Sequence, residues 1–425
     1  MEYKEAIDWL YSQLPMFSRI GAAAYKPGLE RSWRLADHFG NPQSRWKSVH
    51  IAGTNGKGSV SNMISAVLQK QGYKTGLYTS PHLVDFRERI RINGRMIPEE
   101  KVVEFVENWQ RSGYDGDKPS FFELTMMMAF DWFAVEKVDI AVIETGMGGR
   151  LDSTNIITPL LSVITNISKD HTQFLGDTPE KIAFEKAGII KTGIPAVIGE
   201  AEGDVEKVFE QKALQIGSRL RKAYAEPQSQ IITLEDCPLK GDYQKKNLQT
   251  ALTAIDELRH NGLRIEDRSI IEGIKELETL TGFVGRWTIM RQEPLTICDT
   301  GHNEAGLRYN LAQLKALMKE RPGGRIRFVI GFVADKDIDN ILPMFPRDGE
   351  YYLTQAQMPR ALDSKKLRSM VLEKVMGEHS HKERENVRSF TLVGDALEKA
   401  LQDAKKEDII FVGGSTFIVA EAISS

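Results

Sequence analysis

Residues 48–61, SVHIAGTNGKGSVS, constrain the fold more than any other stretch of this chain. A short run with Val49 and Ile51 enters a glycine-rich turn. The chain leaves that turn in a segment whose Val60, Met63, Ile64, Val67 and Leu68 recur at close to the helical period. Strand, glycine turn, lysine, hydroxyl and helix are the parts of a phosphate cradle. The usual form is G-x-x-x-x-G-K-[ST], and this stretch departs from it twice. Ile51 stands where the first glycine belongs, and Gly58 separates Lys57 from Ser59. Either the match is degenerate or the loop belongs to a different kind of nucleotide enzyme.

The surrounding pattern predicts an α/β fold. A helix from Tyr3 and irregular segments precede the loop. After it come a strand at KTGLYTS, a hairpin turn at Asn93-Gly94, and a helix from Pro98 to Gly113. FFELTMMMAFDWFAVEK reads as a buried helix, and its three methionines as core filler. VDIAVIETG, LLSVITNI and IPAVIGE read as strands, and Thr178-Pro179 opens a helix between the last two. Strands alternating with helices imply a mostly parallel sheet wrapped on both faces. A long amphipathic helix at GDYQKKNLQTALTAIDELRHNG precedes a seam at LTGFVGRW, and the alternation then restarts. With 425 residues, two domains are expected: an ATP-binding, P-loop-like domain over 1–283 and a smaller Rossmann-like α/β domain over 284–425.

Ligands of open α/β sheets bind beyond the carboxyl ends of the strands, and polar residues cluster at those positions. Gly53, Thr54, Asn55, Gly56, Lys57, Gly58 and Ser59 follow one strand, and Ser80, Pro81 and His82 follow the next. Glu144, then Asp170 and His171, then Asp299 and His302 follow three others. A single polar strand end is commonplace; five in a row, beginning with a phosphate loop, are not. Lys57 reaches terminal phosphates, the backbone N–H groups of Asn55 to Ser59 line them, and the helix dipole adds to both. Mg²⁺ takes oxygen ligands and keeps waters, which suits Ser59 or Ser80 and Glu144. A lone histidine such as His171 is more often structural.

Composition excludes several classes. A net charge of −3 gives no reason to expect nucleic acid. Cys237 and Cys298, far apart, provide neither a disulfide framework nor a cysteine metal site. The acidic start MEYKEAIDWL lacks an apolar signal core, and the richest apolar run is cut by Glu123 and Asp131. No membrane partner and a cytoplasmic location are the expectations. His379 and His381, within GEHSHKEREN, read as part of a solvated charged loop rather than a metal site.

GTNGKGS, YTSPHL, ERIRING, ETGMGGRLDSTN, SKDHTQFLG, EKAGIIK and DTGHN, in this order and spacing, resemble the folylpolyglutamate synthases. That family includes bifunctional forms that are also dihydrofolate synthases, and it lies within the Mur ligase superfamily. The shortened loop is similar to that superfamily's G-T-N-G-K, and the glycine after the lysine points to the folate branch. Cell-wall ligases carry a further N-terminal domain, for which the roughly fifty residues before Gly53 are too few.

The resemblance implies a set of roles. Gly56 to Ser59 hold ATP phosphates, with Asn247 and Arg286 at ATP-contacting positions. Ser80 and Glu144 ligate one Mg²⁺, and Glu144 and His171 a second. Lys186 matches a carbamylated lysine that faces metal. Asp152 and Ser153 lie near the reacting carboxylate and the incoming amine, and Asp299 and His302 close over the nucleotide. Pro81, His82, Phe121 and Phe122 fall in substrate-lining regions, the two phenylalanines equally readable as core. The implied partners are small molecules: ATP, L-glutamate, and folate or dihydropteroate. A monomer is implied as well. The expected reaction phosphorylates a carboxylate, because its oxyanion is a poor leaving group, and the glutamate amine then attacks the acyl phosphate. Lys57 and His302 stabilise charge, and Asp152 or His302 receives the amine proton. Another Mur-type ligase, a plain P-loop NTPase and a nucleotide-binding regulator are the rival readings.

Overall fold

The computed structural model describes residues 1–15, 28–227, 231–377 and 385–425; His379 and His381 lie outside these. The described chain divides into two compact units. One comprises Met1–Pro238 and Gln244–Phe283, the other Leu239–Tyr243 and Val284–Ser425. The short segment before residue 244 thus joins the second unit. There the Tyr243 hydroxyl donates to Asp299 and the Asp242 amide to Gln313. Among the described residues no helix is long and apolar enough to cross a membrane.

The first unit is built on an eight-stranded sheet. Its strands are β1 (Lys47–Ala52), β2 (Thr75–Tyr78), β3 (Ile90–Ile92), β4 (Arg95–Met96), β5 (Ile140–Glu144), β6 (Leu161–Ile164), β7 (Ala196–Ile198) and β8 (Leu220–Lys222). Their spatial order is β4-β3-β2-β5-β1-β6-β7-β8. All neighbours are parallel except β2/β3 and β3/β4, the hairpin turned by Asn93-Gly94. β1 lies between β5 and β6, where chain order reverses and an open sheet leaves a crevice. Its residues after Lys47 are all buried, because helices cover both faces. The helix Phe121–Val135 carries Met126, Met127 and Met128 into the core, and Ser120 caps it with Glu123 in a capping box. Thr178 caps the helix Pro179–Ala187, as its sequence predicts. A second early helix, Glu30–His38, was not anticipated, and neither were the helix Gly203–Gln215, β8 or β13.

The second unit holds a six-stranded sheet: β9 (Thr288–Arg291), β10 (Leu295–Asp299), β11 (Ile326–Ile330), β12 (Glu350–Leu353), β13 (Val387–Ser389) and β14 (Ile409–Gly413), in the order β13-β12-β11-β14-β10-β9. Only β9 runs antiparallel to its neighbour. Arg327 on β11 is buried and bridges Glu350, its register partner on β12, to Asp408 just before β14 at 2.9 Å. It also donates to the Tyr352 hydroxyl at 2.7 Å. Cys237 and Cys298 are both buried.

Candidate active site

The turn after β1 has its shape because glycine stands at two places that nothing larger fits. Gly53 has φ +151°, and an added Cβ would lie 1.9 Å from Thr165 Oγ1. Gly56, at φ +84°, caps the helix Lys57–Lys70, and a Cβ there would lie 2.2 Å from Asn247 Oδ1. Asn247, on the helix Gln244–His260, is therefore packed directly against the loop and is oriented by Gln244, to whose Oε1 it donates at 2.8 Å.

The segment after β6 braces the loop from the other side. The Thr54 amide donates to the Asn166 carbonyl and the Asn55 amide to Asn166 Oδ1, each at 3.0 Å. Thr54 Oγ1 donates to the Ser168 carbonyl at 3.0 Å, and Thr165 Oγ1 to the Asn55 carbonyl at 2.5 Å. This corrects one expectation. The Asn55 N–H is committed to Asn166, so phosphate donors must come from the first turn of the helix, whose amides have no intrahelical acceptor. Thr165, Asn166 and Ser168 were missed in the sequence. The polar run TNIS directly after an apolar strand was the available signal.

Two lysines converge on the loop. Lys57 Nζ donates to the carbonyls of Gly53 (3.0 Å) and Thr54 (3.2 Å). Lys186 Nζ, from the helix Pro179–Ala187, donates to the same Gly53 carbonyl at 2.7 Å. Lys186 is buried, and its pKa falls well below the usual lysine value, through burial first and the neighbouring Lys57 second.

At the ends of β2 and β5, the Ser80 amide lies 3.4 Å from Glu144 Oε2, and Glu144 is buried. His171 is half-buried in a left-handed conformation (φ +51°), and its amide donates to Asp170 Oδ1. Among the described residues no three His, Cys, Asp or Glu side chains gather into a closed metal cage. A hydroxyl and a single buried carboxylate are instead the donor set of a Mg²⁺-type ion that completes its shell with water and phosphate.

Asp152 is buried, and its carboxylate is already in use. It accepts from the Met147 amide (2.8 Å), the Thr154 amide (3.1 Å) and Thr154 Oγ1 (2.5 Å). Burial is the largest influence on it and raises its pKa. Thr154 in turn meets His50 Nε2 at 2.9 Å. Because the hydroxyl donates to Asp152, it accepts from His50, whose pKa burial pushes down to about 3. Asp152 thus shapes its loop, and Ser153 follows it half-buried.

Phe121 is buried among Tyr11 and Phe86 and belongs to the core. Phe122 is half-buried and lies over Gly146, where a Cβ would lie 2.6 Å from its ring. Pro81 is exposed and His82 half-buried. His82 Nδ1 accepts from Arg89 Nε at 2.7 Å, and burial followed by Arg89 pushes its pKa down to about 3.

In the second unit, Asp299 at the end of β10 receives donors from the Tyr243 hydroxyl (2.6 Å), the Trp287 amide (2.8 Å), the Gly301 amide (2.7 Å) and Asn310 (2.8 Å). This carboxylate organises the turn that carries Arg286 on one side and His302 on the other. His302 Nδ1 donates to the Thr300 carbonyl at 3.0 Å.

Residues 51–250 match the family model described as the Mur ligase middle domain, and residues 285–416 the Mur ligase, glutamate ligase domain. The dihydrofolate synthase/folylpolyglutamate synthase of Escherichia coli (strain K12) is 32% identical, covering 99% of this chain and 96% of its own. A probable bifunctional folylpolyglutamate synthase/dihydropteroate synthase of Haloferax volcanii is also 32% identical. It covers 99% of this chain, which spans 50% of the longer archaeal protein. A bifunctional folylpolyglutamate synthase/dihydrofolate synthase from Yersinia pestis, solved with AMPPNP and Mn ion, superposes with a TM-score of 0.81. It is 28% identical and covers 100% of this chain and 98% of its own.

Proposed function

Since the chain belongs to the folylpolyglutamate synthase/dihydrofolate synthase family of Mur ligases, we propose that it uses ATP to join L-glutamate to the glutamyl carboxylate of a folate. Dihydropteroate is proposed as a second acid substrate. The observation that carries this reading is the convergence of Lys57 and Lys186 on the Gly53 carbonyl. A plain phosphate-loop NTPase needs the first lysine and has no use for a second, buried one.

The residues divide the work. The first helical turn, Gly56 to Ser59, holds the phosphates, and Lys57 leaves its loop carbonyls to meet the transferring group. The acid's carboxylate attacks the terminal phosphate and ADP leaves. The glutamate amine then attacks the acyl carbon, and phosphate departs. Ser80 and Glu144 are proposed to hold one divalent cation, and Glu144 with His171 a second. Such ions neutralise phosphoryl oxygens. Lys186 is proposed to carry a carbamate, because only a neutral amine takes up CO₂ and its burial favours that form. Asn247 and Arg286 are assigned to ATP. Ser153, Phe122, His82 and Pro81 are assigned to the acid substrate. Asp152, already holding three donors, is assigned to loop shape, and His302 is proposed as the acceptor for the amine proton.

The test is glutamate incorporation with tetrahydrofolate and dihydropteroate offered in parallel. ADP release should require both an acid substrate and glutamate. ATP hydrolysis indifferent to both would reject the ligase reading.

A further inference from the structure

Arg89, at the end of the turn Phe86–Arg89, is a buried cation whose partners do not account for it. The residue is only 5% exposed. Its Nε donates to His82 Nδ1 at 2.7 Å, and its guanidinium carbon lies 5.3 Å from the centroid of the Phe121 ring. Among the described residues, Nη1 and Nη2 have neither a hydrogen bond nor an ion pair. Desolvating a guanidinium is costly, and leaving its fork unfilled more so. Such a group is retained where a ligand completes it.

The surroundings define that ligand. His82 fixes the plane of the fork through Nε and is itself held at Nε2 by the Tyr11 hydroxyl at 3.4 Å. The Phe121 ring lies against the guanidinium, and Phe86 packs edge-on against both Phe121 and His82. Glu144 and Glu88 already supply negative potential to Arg89. A planar, neutral, two-point acceptor suits such a setting better than another anion. The acid substrates of the reaction above contain one. In a 7,8-dihydropterin, the ring carbonyl (O4) and the imine nitrogen (N5) flank one edge as two adjacent acceptors. The arrangement is that of the guanine edge which arginine reads in two-point fashion.

Resting on the proposed function, we propose that the Arg89 fork binds the O4/N5 edge of a 7,8-dihydropterin and so selects the oxidation state of the substrate ring. In a tetrahydropterin N5 carries a hydrogen and becomes a donor facing a donor, so one of the two contacts is lost.

The test combines ring analogues with variants. For the wild type, KM should rise about tenfold to a hundredfold from 7,8-dihydropteroate to its 5-deaza analogue, and likewise to tetrahydropteroate. Arg89→Met should raise KM for 7,8-dihydropteroate by a similar factor and abolish the discrimination, with KM for ATP within about twofold. Arg89→Lys, which keeps the charge and loses the fork, should behave like Arg89→Met. A wild type that treats the three rings alike overturns the inference, and so does a folded Arg89→Met that still discriminates. The ring series on wild type decides the matter even if both variants fail to fold. A wild type that extends tetrahydrofolate yet ignores dihydropteroate overturns this inference and leaves the ligase reading intact. A wild type that ligates glutamate to no pteroate or folate rejects the ligase reading itself.

Discussion

Lys186 and Lys57 share one acceptor, the Gly53 carbonyl, at 2.7 and 3.0 Å. Two ammonium groups on one oxygen repel each other, and the buried one has the weaker claim to its proton. Lys186→Ala is therefore expected to lose most ligase activity and to regain part of it with added short carboxylates. Full activity of the variant in CO₂-free buffer would remove the carbamate from the mechanism.

Lys57→Ala should lower kcat by about a hundredfold to a thousandfold in a folded protein, because it removes the cation closest to the transferring phosphoryl group. Circular dichroism and single-turnover kinetics together check this. Near-normal turnover would sink the phosphate-loop assignment.

Gly56→Ala tests the shape of the loop. The substitution places a side chain at φ +84° and 2.2 Å from Asn247 Oδ1, a strain of about 1–3 kcal/mol. KM for ATP should rise at least about tenfold. A folded Gly56→Ala with KM for ATP within about twofold of wild type would contradict the tight fit of the loop against Asn247.

Glu144→Gln keeps the shape and removes the negative charge. The Mg²⁺ dependence of activity should shift to higher concentration. Superimposable Mg²⁺ curves for variant and wild type would leave Glu144 a structural carboxylate.

His50 makes stability depend on pH. Its folded pKa of about 3 lies below the unfolded value near 6.5, so the unfolded state takes the proton first as pH falls. The stability this group contributes is complete above about pH 6.5 and is lost toward pH 3, by at most roughly 1.4 kcal/mol per pH unit. His50→Gln should lose less stability than wild type between pH 7.5 and 5. Urea midpoints that fall in parallel would contradict the buried neutral imidazole.

The sequence conveyed the alternation of strands and helices well, because fully buried strands such as β5 and β14 are nearly continuous apolar runs. The helix Glu30–His38 was harder to see, since ERSWRLADH buries only Ser32, Leu35 and Ala36, and its Trp33 is exposed. In the candidate site, loop glycines and strand-end carboxylates were legible one by one. The contacts of Thr165, Asn166 and Ser168 with Thr54 and Asn55 were not, because pairing across more than a hundred residues leaves no local pattern. Within the ERIRING stretch Arg89 is one of two arginines; only its burial and its unfilled fork distinguish it.

The bridge from Arg327 to Glu350 and Asp408 acts as an address for strand alignment. β10, β12 and β14 are buried along their whole length, so a slip by two residues, which keeps each side chain on its own face, would meet little hydrophobic resistance. A slip of β12 against β11 would, however, strand the Arg327 charge away from Glu350 inside the sheet, at a cost of several kcal/mol. An apolar trio in place of the three charged residues could thus match the native protein in denaturant yet populate more than one alignment. Amide exchange along β11 and β12, rather than the unfolding midpoint, is where that loss would register.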